Sequence, residues 1–112
     1  MKSFIFVTLF LFSTWTNASQ TCAASWYGGK FQGRKTASGV TFNTNSMMAA
    51  HKTLPFGTKL RVMNLENKKT VIVSVLDRGP FIRKRCLDLS KAAKNRLDMD
   101  GVAMVKFDIV SR

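Results

Sequence analysis

Asp77 closes a run that is apolar except for one serine, Val71-Ile72-Val73-Ser74-Val75-Leu76, and Arg78-Gly79-Pro80-Phe81 follows it. A carboxyl at the mouth of a buried strand loses hydration, which penalises its charged form. Such a group can give or take a proton near neutral pH. Arg78 beside it pulls the other way, toward the charged form. A reading without chemistry also exists: Asp is a common turn former, and Gly79-Pro80 is a turn signal. His51 is the single histidine and follows the apolar patch Met47-Met48-Ala49-Ala50. It could orient a carboxyl, hydrogen-bond a substrate or serve structure alone. Ser25, Ser38 and Ser90 lie in no nucleophile-elbow setting, so serine hydrolysis has little support.

Cleavage of a sugar chain by the common hydrolytic plan needs two carboxyls. The chain has six acids in all. Glu66 falls in a predicted hairpin turn, Asp98 and Asp100 follow a predicted helix, and Asp108 alternates outward on a predicted strand. Asp88 is the one other acid beside an apolar stretch, so a two-acid plan rests on Asp77 and Asp88. Trp26, Tyr27, Phe31 and Phe42 surround a glycine-rich loop, where they suit sugar stacking and core packing equally. A single histidine and the absence of C-x-x-C rule out the usual zinc sets. Neither a metal nor an organic cofactor is implied.

The elements that must position these residues are short. Residues 23–27 read as a first strand ending in Gly28-Gly29, and 30–39 as a polar loop. Residues 40–42 read as a short strand, and 45–50 as one helical turn capped by Asn45 or Ser46. Residues 59–65 alternate as a half-buried strand does. After the polar turn 66–69, residues 70–76 read as a strand covered on both faces, completing a hairpin. Residues 89–97 read as a short helix begun by Asp88 or Ser90, with Leu89, Ala92, Ala93 and Leu97 on one face. Residues 102–110 are a last strand. Several short strands, one helix and glycine-rich turns fit a small β-barrel.

The 112 residues allow one domain at most. Residues 1–18 have the form of a secretory signal peptide: Lys2, an apolar stretch over 4–12, then Thr16-Asn17-Ala18. The domain is therefore expected over 19–112, exported to the periplasm or the exterior. The apolar stretch is short for a bilayer span, so no stable membrane insertion is expected after cleavage. The formal net charge is +12, and loss of Lys2 with the leader lowers it by one. Such charge steers any anionic partner and names none. For an exported domain, wall polymers, anionic headgroups and lipopolysaccharide come before nucleic acid. Two cysteines in an exported chain predict a Cys22–Cys86 disulfide, the alternative being two buried thiols. A bridge across so long a loop contributes roughly 4 kcal/mol in the chain-entropy model.

Four stretches then occur in order: ASWYGGKFQGRKTASGVTF, MAAHKTLPFGTKLRVMNLENKK, VLDRGPF and CLDLSKAAKNRL followed by GVAMVKFDIV. Together they resemble the rare lipoprotein A (RlpA) family, septal-ring endolytic peptidoglycan transglycosylases, over roughly residues 23–110. The resemblance implies a mainly β fold, a six-stranded double-psi β-barrel with one or two short helices. It implies lytic cleavage between N-acetylmuramic acid and N-acetylglucosamine, in which the muramic 6-hydroxyl attacks its own anomeric carbon. No water attacks, so one carboxyl can both protonate the leaving oxygen and help deprotonate the hydroxyl. That relieves the shortage of acids.

The aspartate of the family's D-R-G-P-F motif falls on Asp77, and the histidine of A-A-H-x-T-L-P-F-G on His51. Asp77 is then the acid–base group, His51 orients it or hydrogen-bonds the substrate, and Tyr27, Thr36, Ser38 and Arg78 line the groove. The family's T-A-S-G-E-x-F motif has Val40 where the acid stands. This departure leaves a second reading, a non-catalytic wall-binding module of the same fold. The partner expected either way is the peptidoglycan glycan strand, met by a monomer.

Overall fold

The computed structural model describes residues 19–28 and 31–112, and the expected leader lies outside them. Six strands are present: β1 Gln20–Trp26, β2 Met48–Ala50, β3 Lys59–Asn64, β4 Thr70–Asp77, β5 Arg85–Leu89 and β6 Ala103–Ser111. One helix, α1 Lys91–Arg96, lies between β5 and β6. The strands close into a barrel in the order β1-β5-β2-β4-β3-β6. Closure leaves no unpaired strand edge. β1 runs parallel to β5, and β2 parallel to β4, while the remaining neighbours are antiparallel.

The barrel interior is built by alternation. Leu60 and Val62 of β3, Val71, Val73 and Val75 of β4, Leu87 and Leu89 of β5, and Val105 and Phe107 of β6 all point inward and are buried. Each such side chain contributes about 1.5–3 kcal/mol relative to exposure. Asn64 is buried with them and is satisfied there. Its Nδ2 donates to the carbonyl of Leu97 at 3.0 Å, and its Oδ1 accepts from the Glu66 N–H at 3.0 Å. The disulfide joins Cys22 of β1 to Cys86 of β5, with Cα atoms 5.9 Å apart.

Several sequence expectations need correction. Residues 45–50 are not a helical turn: Met48–Ala50 is strand β2, and all three residues are buried between β4 and β5. Pairing on both sides overrides the helix preference of Met and Ala. Residues 40–42 form no strand, and Thr41 makes only an isolated bridge to Lys35. β4 is not covered on both faces: Thr70 and Ile72 face solvent, and Ile72 is 43% exposed. Its β-branched outer residues reflect strand preference rather than burial. The stretch before the helix is strand β5 as far as Leu89. Ser90 is the N-cap, its side chain accepting from the Ala93 N–H.

Candidate active site

β4 ends at Asp77 because Gly79-Pro80 cannot extend a ladder. Gly79 has φ 126°, a conformation costly for any residue with a Cβ, and the Gly79–Pro80 peptide is cis. The chain turns away there and leaves Asp77 at the mouth of the barrel. Three groups donate to its carboxyl. The Tyr27 hydroxyl reaches Oδ2 at 2.6 Å, and the N–H groups of Ala37 and Arg78 each reach Oδ1 at 2.9 Å.

Each donor has its own support. Tyr27 follows β1 directly, and its N–H is bonded to the Leu89 carbonyl. Its ring packs edge-on to Phe31 at 5.3 Å and against Phe42 at 4.5 Å. Burial first, then the bond to Asp77, pushes its pKa up, so the phenol stays protonated and donates. Ala37 sits in a tight loop. The Thr36 hydroxyl bonds the Val40 carbonyl at 2.6 Å and meets the Ser38 hydroxyl at 2.9 Å. The Ser38 N–H bonds the Leu76 carbonyl at 3.2 Å. That stitch to β4 brings the Ala37 N–H onto Asp77.

A cleft of about 340 Å³ opens above these groups. Tyr27, Thr36, Asp77 and Arg78 line it, together with Ser25, Phe42 and Asp88. The basic residues Arg34 and Lys35 also line it, and Phe81 and Ile82 form its apolar lip. Phe81 is 83% exposed. The Arg78 guanidinium lies 4.0 Å from the Phe56 ring centre and donates to the His51 carbonyl at 3.3 Å.

Ser38 and His51 do not line the cleft. Ser38 holds the loop that carries Ala37. His51 extends the β2–β4 ladder, its N–H bonding the Asp77 carbonyl at 3.2 Å. Its Nδ1 accepts the N–H groups of Thr53 and Leu54 at 3.1 and 3.0 Å. Its ring meets Phe107 edge-on at 5.8 Å. Burial, then the charges of Arg78 and Lys52, hold its pKa below the ordinary value. A neutral imidazole accepting at Nδ1 carries its proton on Nε2. Val40 lies on the same loop, 46% exposed and also outside the cleft lining.

Asp88 comes to the cleft from β5. Ser25, its register partner on β1, donates to its Oδ1 at 3.1 Å. Burial pushes the Asp88 pKa up and the Asp77 charge adds to this, while the Ser25 hydrogen bond and Arg85 oppose it. The sequence offers Asp88 only as the second acid of a hydrolytic plan; its pairing with Ser25, the Ala37 N–H and the Phe81–Ile82 lip are absent from the sequence-based site. The period-two pattern of Arg85-Cys86-Leu87-Asp88-Leu89 is the signal that could have revealed the strand presenting Asp88. Among the described residues, no three His, Cys, Asp or Glu side chains gather as a metal site requires. No described helix is long and apolar enough to cross a membrane.

Comparison with known proteins gives the family. A family model for a lytic transglycolase domain matches residues 19–108. The probable endolytic peptidoglycan transglycosylase RlpA of Aquifex aeolicus is 63% identical over 81 residues, covering 70% of this chain and 36% of that protein. The endolytic peptidoglycan transglycosylase RlpA of Campylobacter jejuni is 51% identical over 89 residues, covering 78% and 32%. The match thus spans about a third of the length of these curated relatives. Among solved structures, the Streptomyces papain inhibitor superposes with TM-score 0.62 at 25% identity, over 83% of this chain and 94% of that one. An expansin from Clavibacter michiganensis superposes with TM-score 0.65 at 24% identity, over 83% and 50%, and shares the barrel fold. The barrel closure, the ordered motifs and the family match agree: the chain belongs to the RlpA-type lytic transglycolase family of double-psi β-barrels.

Proposed function

We propose that this protein is an exported lytic transglycosylase that cleaves peptidoglycan glycan strands endolytically. It would break the bond between N-acetylmuramic acid and N-acetylglucosamine and leave 1,6-anhydro-muramic ends. The observation that carries this reading is Asp77, fixed by three donors at the floor of an open cleft. A carboxylate so placed can take the proton of a sugar hydroxyl held above it. Tyr27, the Ala37 loop and the Arg78 N–H fix its geometry in advance, which spares reorganisation during reaction. Thr36 and Arg78 are placed to hydrogen-bond the sugar. Phe81, exposed on the lip, offers a face for a pyranose ring. Arg34 and Lys35 suit a substrate bearing carboxylates. His51 acts from behind, ordering the 51–54 turn and the end of β4 rather than touching the sugar.

The curated relatives carry the same activity in their names, and the apolar leader and the disulfide both favour export. Incubating the purified protein with peptidoglycan, intact and stripped of stem peptides, is expected to yield anhydro-muramic ends by mass spectrometry. Asp77→Asn is expected to lower that yield at least about 100-fold, the usual scale for loss of an acid–base group. Wild-type yield from Asp77→Asn overturns the reading. Retention on wall sacculi without any anhydro product assigns the chain instead as a wall-binding module, the reading that Val40 favours.

A further inference from the structure

Two carboxyls face the cleft, and they differ. Asp77 and Asp88 lie on strands to either side of β2, and both are register partners of Ala50. Neighbouring strands are about 4.8 Å apart, so the two backbones are separated by roughly 10 Å. A glycosidic oxygen and a sugar hydroxyl fit between carboxyls set on such a span. Asp77 accepts three hydrogen bonds on its two oxygens. Both oxygens are committed as acceptors, which suits a base. Asp88 accepts one, at Oδ1 from Ser25. Its Oδ2 takes no hydrogen bond from the described residues, which leaves it able to carry a proton toward the cleft.

We propose that Asp88 is the proton donor of the reaction and Asp77 the proton acceptor, one glycosidic cleavage being shared between two carboxyls. This rests on the lytic reading above. In the step, the Asp88 proton passes to the glycosidic oxygen. The bond from that oxygen to the muramic anomeric carbon breaks, and its electron pair stays on the leaving sugar. The muramic 6-hydroxyl oxygen bonds the anomeric carbon, and its proton goes to Asp77. No water is consumed. Exchange with solvent returns Asp77 to carboxylate and Asp88 to carboxyl.

The surroundings of Asp88 act in the same sense. Half-burial of Asp88 favours its neutral form, reinforced by the charge of Asp77 and opposed by Ser25 and Arg85. The other ionisable groups around it are Tyr27, just past β1, and Arg34, Lys35 and Arg78 across the cleft. β2 brings none.

The test measures anhydro-end formation against pH for wild type, Asp88→Asn, Asp88→Glu and Ser25→Ala. Asp88→Asn is expected to lose at least 100-fold while keeping its melting temperature and its retention on sacculi, and Asp88→Glu to recover part of the rate. Ser25→Ala removes the bond that stabilises charged Asp88. It is therefore expected to move the alkaline limb of the profile to higher pH and leave the acid limb in place. Asp88→Asn within tenfold of wild type, or an unmoved alkaline limb in Ser25→Ala, overturns the assignment while the lytic reading stands. A wild-type protein that yields no anhydro ends overturns both.

Discussion

At the scale of single residues, the place of Asp77 at a strand end was legible, and Tyr27 and Arg78 were named near it, but the hydrogen bonds they give it and the Ala37 N–H were not. An acid at the end of an apolar run is visible in sequence. The hydroxyl of Tyr27 comes from 50 residues away, and the N–H of Ala37 from 40. A backbone donor has no residue type to announce it. His51 was legible as a motif residue but not in its placement, because its bonds run to Thr53 and Leu54 within its own turn. That placement has a pH consequence. The His51 pKa lies below its ordinary value, chiefly through burial. The folded protein then binds this proton less readily than the unfolded chain. Its contribution to stability is full above the ordinary value of about 6.5 and is lost as pH falls below it. Wild type is expected to lose melting temperature between pH 7 and pH 5 more steeply than His51→Asn, whose amide oxygen can replace Nδ1. Equal slopes in thermal melts would remove His51 as the cause.

At the scale of elements, the β3–β4 hairpin was the most legible part, since its alternation is local. β2 and β5 were missed because both are defined by neighbours far along the chain. Met48-Ala49-Ala50 has no strand preference of its own, and it extends only because β4 and β5 pair with it on either side. β5 was overshadowed by the helical pattern that follows it. The junction of β5 and α1 turns on Ser90. Its hydroxyl caps the helix at Ala93, donates to the Ser46 carbonyl at 2.5 Å and receives the Met48 N–H at 3.3 Å. Ser90→Ala loses the cap and removes one of the two donors to the part-buried Ser46 carbonyl, which keeps only the Met48 N–H. Loss of a cap alone costs about 1–2 kcal/mol. The expected total is about 2 kcal/mol, read as a lower denaturation midpoint at unchanged m-value. A midpoint equal to wild type would show that the junction does not depend on this hydroxyl.

At the scale of the whole molecule, the barrel class was legible from many short strands with glycine turns, whereas the strand order was not. Two parallel pairings inside one small barrel cannot be read from periodicity, because register across long loops leaves no local trace. The disulfide spans 64 residues, most of the described chain. Replacing both cysteines by serine is expected to cost on the order of 4 kcal/mol, which in a domain this small lowers the melting temperature by more than about 15 °C. A fall of less than about 5 °C would show that the ladder alone holds β1 to β5.

The bridge lies next to the cleft. Cys22 and Cys86 precede Ser25 and Asp88 by three and two residues on the paired strands β1 and β5. Thiols stay reduced in the cytosol and oxidise beyond it. A chain still inside the cell that made it thus lacks the cross-link that firms up the ledge under Asp88. If the chain is exported and cuts the wall as proposed, the covalent bond that steadies the barrel would form only once the protein has left the cell, and would act as a safety catch.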